Sequence, residues 1–187
     1  VNSAPTWSPD GLRLALSLSK DGNPELYVID VRDKSSRRLT DHSAIDTEPT
    51  WSPDGASIVF TSDRGGRPQL YKMSSTGGKA QRLTHEGENA GATFAPDGKS
   101  LALVHQNKQG YHIALFDLAT SELRLVSGGP WDETPSFSPN GAVILYNSDG
   151  RLMTVSVQGQ VRQTLAVAVG KTRGPAWGPQ LNIKTGP

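Results

Sequence analysis

The sequence predicts an all-β fold assembled from one four-strand unit that is used repeatedly. The heptapeptide PTWSPDG occurs at 5–11 and again at 49–55, and weaker copies begin at 92, 135 and 175. Short apolar, β-prone runs alternate with turns rich in Gly, Asp and Asn, and no segment keeps a helical period for three turns. Four short strands in a unit of about 43 residues are typical of one blade of a β-propeller.

The aromatic residue of the motif marks the register of the repeat. Its spacing is 44, 43, 43 and 40 residues, through Trp7, Trp51, Phe94, Phe137 and Trp177. We expect four complete blades and the opening strand of a fifth, with the first four rings equivalent and buried between blades. The predicted blades span about 5–48, 49–91, 92–134 and 135–174, with a closing strand at 175–180 that completes a partial propeller over 1–180, and a tail at 181–187.

The run that follows each Pro-Asp-Gly turn is apolar on both faces. Leu14, Ile58, Leu101 and Ile144 share one repeat position, and the residues directly after them are apolar too. A strand that is apolar on both faces is buried on both faces, as a blade between two neighbouring blades must be. The turn has its own chemistry, because Pro fixes φ, Asp caps the turn and Gly accepts a positive φ.

Composition excludes several classes of function. The chain of 187 residues has no cysteine, so it can form neither disulfides nor thiolate metal sites. A net charge of +1 gives no general electrostatic attraction to nucleic acid or to an anionic membrane surface. The apolar runs are too short to span a bilayer.

The sequence offers no set of residues typical of a hydrolase or a metal site. No Gly-x-Ser-x-Gly occurs, and the Ser-x-x-Lys match at Ser17 lies at a predicted strand end that leads into a hairpin turn. The four histidines show no chelating spacing, and we expect each to be solvated or to serve a turn; they are His42, His85, His105 and His112. We therefore predict no enzyme, no catalytic residue and no resident metal.

Acidic residues precede the aromatic motif in successive repeats. Asp46 and Glu48 come before Pro49, and Asp132 and Glu133 come before Pro135. We expect them on the loops that enter the innermost strands, where they would converge near one mouth of the propeller channel. Two interpretations stay open: a solvated acidic rim, or a polar collar that binds a partner or holds a cation such as Ca²⁺ with carboxylates from several blades.

The repeat, with its WSPDG, LYxxD and RLT elements, resembles the propeller repeat of the TolB family of the Gram-negative Tol–Pal system. DTEPTWSPDGASIVFTSDRGG, DETPSFSPNG and GPAWGPQL are the most specific parts of the likeness, which covers nearly the whole chain. The family has a six-bladed propeller after a smaller N-terminal α/β domain. The resemblance therefore implies that these four repeats are the C-terminal part of a six-bladed propeller.

The resemblance also implies a function, which is that of a non-enzymatic periplasmic scaffold. In the family one propeller face binds Pal, the peptidoglycan-associated lipoprotein, supports outer-membrane integrity and cell division, and is exploited by colicins for import. TolA is contacted only through the N-terminal domain. The matching positions are Ala4 and Thr47, with the flanking DTEP and DETP residues Asp46, Glu48, Asp132, Glu133 and Thr134.

A second function stays open at this stage. Related repeats form the accessory propeller of prolyl-oligopeptidase-like hydrolases and of some sugar-processing enzymes. An adjoining α/β-hydrolase segment in the gene would favour that alternative, and a secretory signal before an α/β domain would favour the scaffold.

Overall fold

Four four-stranded antiparallel sheets make up the computed structural model, which describes residues 3–166, 171–172 and 174–178. Each sheet is a simple meander in which neighbouring strands follow one another in the chain. No helix occurs in these residues. The predicted all-β fold built from four-stranded propeller blades is confirmed.

The strands follow the predicted alternation of apolar runs and turns in each repeat. The first blade contains β1 (Ser3–Trp7), β2 (Arg13–Leu18), β3 (Glu25–Asp30) and β4 (Ser36–Arg38). The second contains β5 (Asp46–Trp51), β6 (Ser57–Ser62), β7 (Gln69–Ser74) and β8 (Gln81–Arg82). The third contains β9 (Glu88–Phe94), β10 (Ser100–Asn107), β11 (Gly110–Asp117) and β12 (Leu123–Leu125). The fourth contains β13 (Asp132–Phe137), β14 (Val143–Ser148), β15 (Arg151–Ser156) and β16 (Arg162–Thr164).

The blades stack in sequence order. β5 packs against the sheet of the first blade, β9 against the second and β13 against the third. Three apolar clusters fill the spaces between them, and each draws side chains from two consecutive blades. The hydrophobic core is therefore divided into layers between blades, which explains why the second strand of each blade is apolar on both faces.

Three of the four motif rings lie in these layers. Trp51, Phe94 and Phe137 are buried, as the repeat predicts. Trp51 is covered by the first blade: its indole N–H donates to the Thr6 carbonyl at 3.2 Å, and the Arg13 guanidinium lies 4.9 Å from the ring centre.

The prediction for Trp7 is wrong. This ring is 59% exposed, although it holds the same repeat position as Trp51. The first blade covers Trp51, whereas the described chain supplies no sheet on the outer side of β1. Burial of the motif ring therefore depends on the blade before it and not on the motif itself.

The inner strands begin before the predicted blade limits. β5, β9 and β13 start at 46, 88 and 132, whereas the predicted blades start at 49, 92 and 135. The acidic residues that were expected on entry loops thus belong to strands. Within the predicted closing segment, 175–178 has no strand and Trp177 N donates to Ser136 Oγ at 3.3 Å; residues 179–187 lie outside the described residues.

Each inner strand carries one extra residue. The register with the second strand slips between Ser3 and Thr6, and it slips at the corresponding places in β5, β9 and β13. Glu48, Gly91 and Thr134 share this position, three residues before the motif ring, and have φ of 53°, 58° and 53°. Since a side chain at positive φ is strained, these β-bulges at Glu48 and Thr134 are held by their surroundings.

Candidate partner-binding face

The four inner strands line one cavity of about 470 Å³. Its wall is mostly apolar, with contributions from Pro5, Pro49, Ala92 and Val104. Three of the predicted residues, Glu48, Glu133 and Thr134, are among the polar residues that also line it. An apolar concave surface with a few polar groups is typical of a binding site.

The other predicted residues do not line this cavity. Thr47 is half-buried in β5, directly before the bulge, where it pairs with Thr61 of β6. Ala4 belongs to β1 and precedes Pro5, which does line the cavity. The structure therefore brings three of the seven predicted residues together and places Thr47 and Ala4 next to cavity residues in the chain.

Asp46 and Asp132 contradict the prediction of a solvated acidic rim. Both side chains are buried at the start of an inner strand. Asp46 Oδ2 accepts a hydrogen bond from the Arg64 guanidinium at 2.6 Å, and Asp132 Oδ2 accepts one from Gly129 N at 2.9 Å. These carboxylates are therefore bound within the protein at the start of the strand, and not solvated.

The carboxylate of Glu48 ties two blades together at the cavity wall. Its Oε2 accepts hydrogen bonds from Thr61 Oγ1 at 2.8 Å and from Gly91 N at 2.9 Å. Gly91 occupies the bulge position of the third blade, so the second blade supplies a side-chain acceptor to the next inner strand. Glu48 is therefore committed to contacts within the protein even though its side chain is exposed.

Glu133 differs from Glu48 in having no such partner. It is exposed, and its carboxylate forms neither an ion pair nor a hydrogen bond with the residues that the structure describes. Glu133 and Thr134 also line a second cavity of about 410 Å³, with Trp131, Asp149 and Lys171 among the other residues. Glu133 thus lies where the two cavities meet.

An aromatic pair that the sequence analysis missed borders both cavities. Tyr111 lines the first and Trp131 lines the second, and their ring centres are 6.3 Å apart. The two residues form an isolated parallel bridge, and Trp131 is 59% exposed. The tryptophan lies outside the repeating motif, so only its place directly before the DETP segment could have drawn attention to it.

Two histidines also contradict their prediction. His105 and His112 are buried cross-strand neighbours in β10 and β11, not solvated turn residues. His105 Nδ1 is 2.9 Å from Asn89 Oδ1 in a hydrogen bond, whereas neither ring nitrogen of His112 has a partner within the described residues. Burial lowers the pKa of His105, and the neighbouring His112 lowers it further.

The Ser-x-x-Lys match has no exposed nucleophile. Ser17 is buried, and its hydroxyl donates to the Asp46 carbonyl at 2.8 Å. The part of the chain that the structure describes holds no group of three or more His, Cys, Asp or Glu side chains suited to a metal ion. Nor does that part contain a helix long and apolar enough to cross a bilayer.

Comparison with known proteins decides the family. The family model described as the TolB β-propeller domain matches residues 1–181. The chain belongs to the TolB β-propeller family. A relative named Tol-Pal system protein TolB, from Ruthia magnifica subsp. Calyptogena magnifica, is 47% identical over 97% of this chain.

Solved structures agree with this TolB assignment. The crystal structure of TolB from Acinetobacter baumannii matches 95% of this chain with a TM-score of 0.87 and 40% identity. This chain spans 44% of the length of the Ruthia relative and 46% of the Acinetobacter protein. A puromycin hydrolase matches with a TM-score of 0.69 at 23% identity, a likeness that shows the fold alone.

Proposed function

We propose that this chain is the propeller part of a periplasmic, non-enzymatic scaffold of the Tol–Pal system, and that it binds Pal through the cavity face. In this role the protein supports outer-membrane integrity and cell division, and colicins exploit the same face for import. TolA is contacted by a domain outside this chain. The two cavities and the residues between them form the docking surface.

The observation that carries this proposal is the convergence of four inner strands on one cavity in a TolB-family propeller. Glu48, Glu133 and Thr134 line that cavity together with apolar residues of the first three blades. A concave, mostly apolar surface with a polar edge suits a protein segment that inserts a few anchoring side chains. Thr47 lies next to this surface in β5 and is the position at which added bulk should interfere.

The test is Pal binding by the full-length protein and a Thr47→Trp variant, measured by titration calorimetry. We expect affinity to fall by about tenfold or more, since a bulky side chain displaces the partner from a packed interface. Thr120→Trp, on the exposed hairpin between β11 and β12, is the matched control and should bind normally. Normal Pal affinity in a Thr47→Trp, Glu133→Ala double variant with an unchanged melting temperature would refute the proposal.

The accessory-propeller alternative has weaker support. A hydrolase propeller shares the fold with this chain at 23% identity, which says nothing about activity. A TolB relative at 47% identity favours the scaffold over the hydrolase. The assay that separates the two is hydrolysis of peptide and ester substrates by the full-length protein, for which the scaffold predicts no turnover.

A further inference from the structure

Glu133, Trp131 and Tyr111 form an open counterpart of a cation site that the chain fills elsewhere with its own arginine. In the second blade, the Arg64 guanidinium lies 5.1 Å from the Tyr71 ring centre and 5.3 Å from that of Phe60. The same guanidinium donates to Asp46 Oδ2 at 2.6 Å. One arginine is therefore held jointly by a carboxylate and two aromatic rings, an arrangement suited to its planar, weakly hydrated cation.

The geometry of the two aromatic pairs is nearly the same. Phe60 and Tyr71 have ring centres 6.0 Å apart with 30° between their planes. Tyr111 and Trp131 have ring centres 6.3 Å apart, also with 30° between their planes. Glu133 lines the same cavity as Trp131 of the second pair, and no cation of the described residues pairs with its carboxylate.

The charge around Glu133 also favours a cation. The cavity that contains it is lined by two acidic side chains, Glu133 and Asp149, and one basic side chain, Lys171. Lys171 forms no ion pair within 4.0 Å with either of them among the described residues. An exposed tryptophan beside an unpaired carboxylate is thus available to a group from outside the chain.

We propose that the protein partner of this face inserts an arginine side chain that stacks on Trp131 and Tyr111 and pairs with the Glu133 carboxylate. This inference rests on the proposed function, in which the face binds a protein. Glu48 takes no part in this recognition, since its carboxylate is already bound to Thr61 and Gly91. The partner segment must therefore contain an arginine with apolar residues near it. Those apolar residues enter the cavity lined by Pro49, Ala92 and Val104.

The first test uses the full-length protein and the soluble domain of Pal. Glu133→Gln and Trp131→Ala should each weaken binding by about tenfold or more, as is usual for arginine and tryptophan anchors. Glu133→Gln should also flatten the salt dependence of the affinity, because it removes an exposed ion pair. Glu122→Gln removes the same charge from the exposed β11–β12 hairpin and should change neither quantity.

If wild-type protein binds Pal and both variants bind equally well, the arginine site is refuted while the proposed function stands. If wild-type protein does not bind Pal, the proposed function fails and a second measurement decides the inference. The Trp131 indole N–H resonance, assigned by its loss in Trp131→Phe, is followed during titration with N-acetyl-arginine amide. A shift that is absent with N-acetyl-glutamine amide and lost in Glu133→Gln supports the site, and no shift with the arginine compound refutes it.

Discussion

At the scale of single residues, equivalent positions in the repeat have different environments. Trp7 and Trp51 occur in the same heptapeptide, but only Trp51 has a blade in front of its ring. The ring of Trp51 packs among apolar side chains of two blades, including Ala15, Val28 and Phe60. Removing it would leave a cavity that the surrounding strands cannot close.

We predict that Trp51→Ala lowers the free energy of unfolding of this chain by about 3–5 kcal/mol. Trp7→Ala should lower it by about 0.5 kcal/mol or less, as expected for an exposed side chain. Urea denaturation followed by far-ultraviolet circular dichroism measures both. An equal loss in the two variants would mean that Trp7 is covered by something outside the described residues.

The burial of His105 should make the free energy of unfolding depend on pH. Burial holds the pKa of folded His105 below the ordinary value of about 6.5, so the unfolded chain binds more protons as the pH falls through that value. The free energy of unfolding should therefore decrease below pH 6.5 and level off once the folded-state pKa has been passed. His105→Gln should reduce this loss, measured as the urea midpoint at pH 7.5 and 5.5.

His85→Gln is the control for this experiment, because His85 is exposed in the loop after β8. It should keep the loss of stability in acid seen in the unmodified chain. If the His105 and His85 variants have the same pH profile, the buried histidine does not cause the acid sensitivity.

The sequence predicts environments that the repeated motif determines, and misses those that depend on strand register or on a distant charged partner. Trp51, Phe94 and Phe137 were predictable because a repeated motif implies a repeated environment. His105 and His112 were not, since their cross-strand pairing depends on register and the motif gives no sign of it. Asp46 was misplaced because a charged residue suggests solvent, whereas the Arg64 guanidinium compensates its burial.

At the scale of one element, the hydrogen bonds of the motif turn explain why the residue before its glycine is Asp or Asn. Asp54 Oδ1 accepts hydrogen bonds from Ser52 Oγ at 2.5 Å and from Ala56 N at 2.9 Å. In the fourth blade Asn140 Oδ1 accepts the same two bonds, from Ser138 Oγ at 2.7 Å and Ala142 N at 3.1 Å. The turn therefore needs one side-chain oxygen acceptor and not a negative charge.

This comparison predicts that Asp54→Asn leaves the free energy of unfolding within about 0.5 kcal/mol of its original value. Asp54→Ala should cost about 1 kcal/mol, the usual net contribution of such hydrogen bonds. Urea denaturation at neutral pH distinguishes the two. A large loss in Asp54→Asn would show that the carboxylate charge, and not the acceptor, stabilises the turn.

The bulge of the inner strand makes a prediction at the same scale. Glu48 joins β5 to Thr61 of β6 and to Gly91 of β9, so Glu48→Ala should lower the free energy of unfolding by about 1 kcal/mol. Glu133 is exposed and has no such contacts, so Glu133→Ala should lower the free energy of unfolding by about 0.5 kcal/mol or less. If both variants are equally stable, the Glu48 bridge between blades contributes nothing measurable.

At the scale of the whole molecule, the four-strand unit and its period predict blades, but not how a stack of blades ends. Each inner blade face is covered by its neighbour through one apolar cluster. The outer face of the first blade has no such cover in the described chain, and Trp7 is exposed. The motif alone could not give the exposure of Trp7, because burial at the end of a stack depends on residues beyond the repeat itself.

The exposed face of the first blade predicts how this chain behaves when it is expressed alone. An exposed apolar face favours association, so the chain should form concentration-dependent oligomers. Multi-angle light scattering should show a mass above that of the 20.0 kDa monomer, and the apolar dye ANS should bind.

Trp7→Glu should shift the chain toward monomer, since the charge would have to be buried in the contact. Leu125→Glu, at an exposed position of the outer strand β12, should leave the mass unchanged because the third blade already has a neighbouring blade on each face. A monomer at all concentrations, with a cooperative melt and no dye binding, would mean that four blades cover their own faces without a partner.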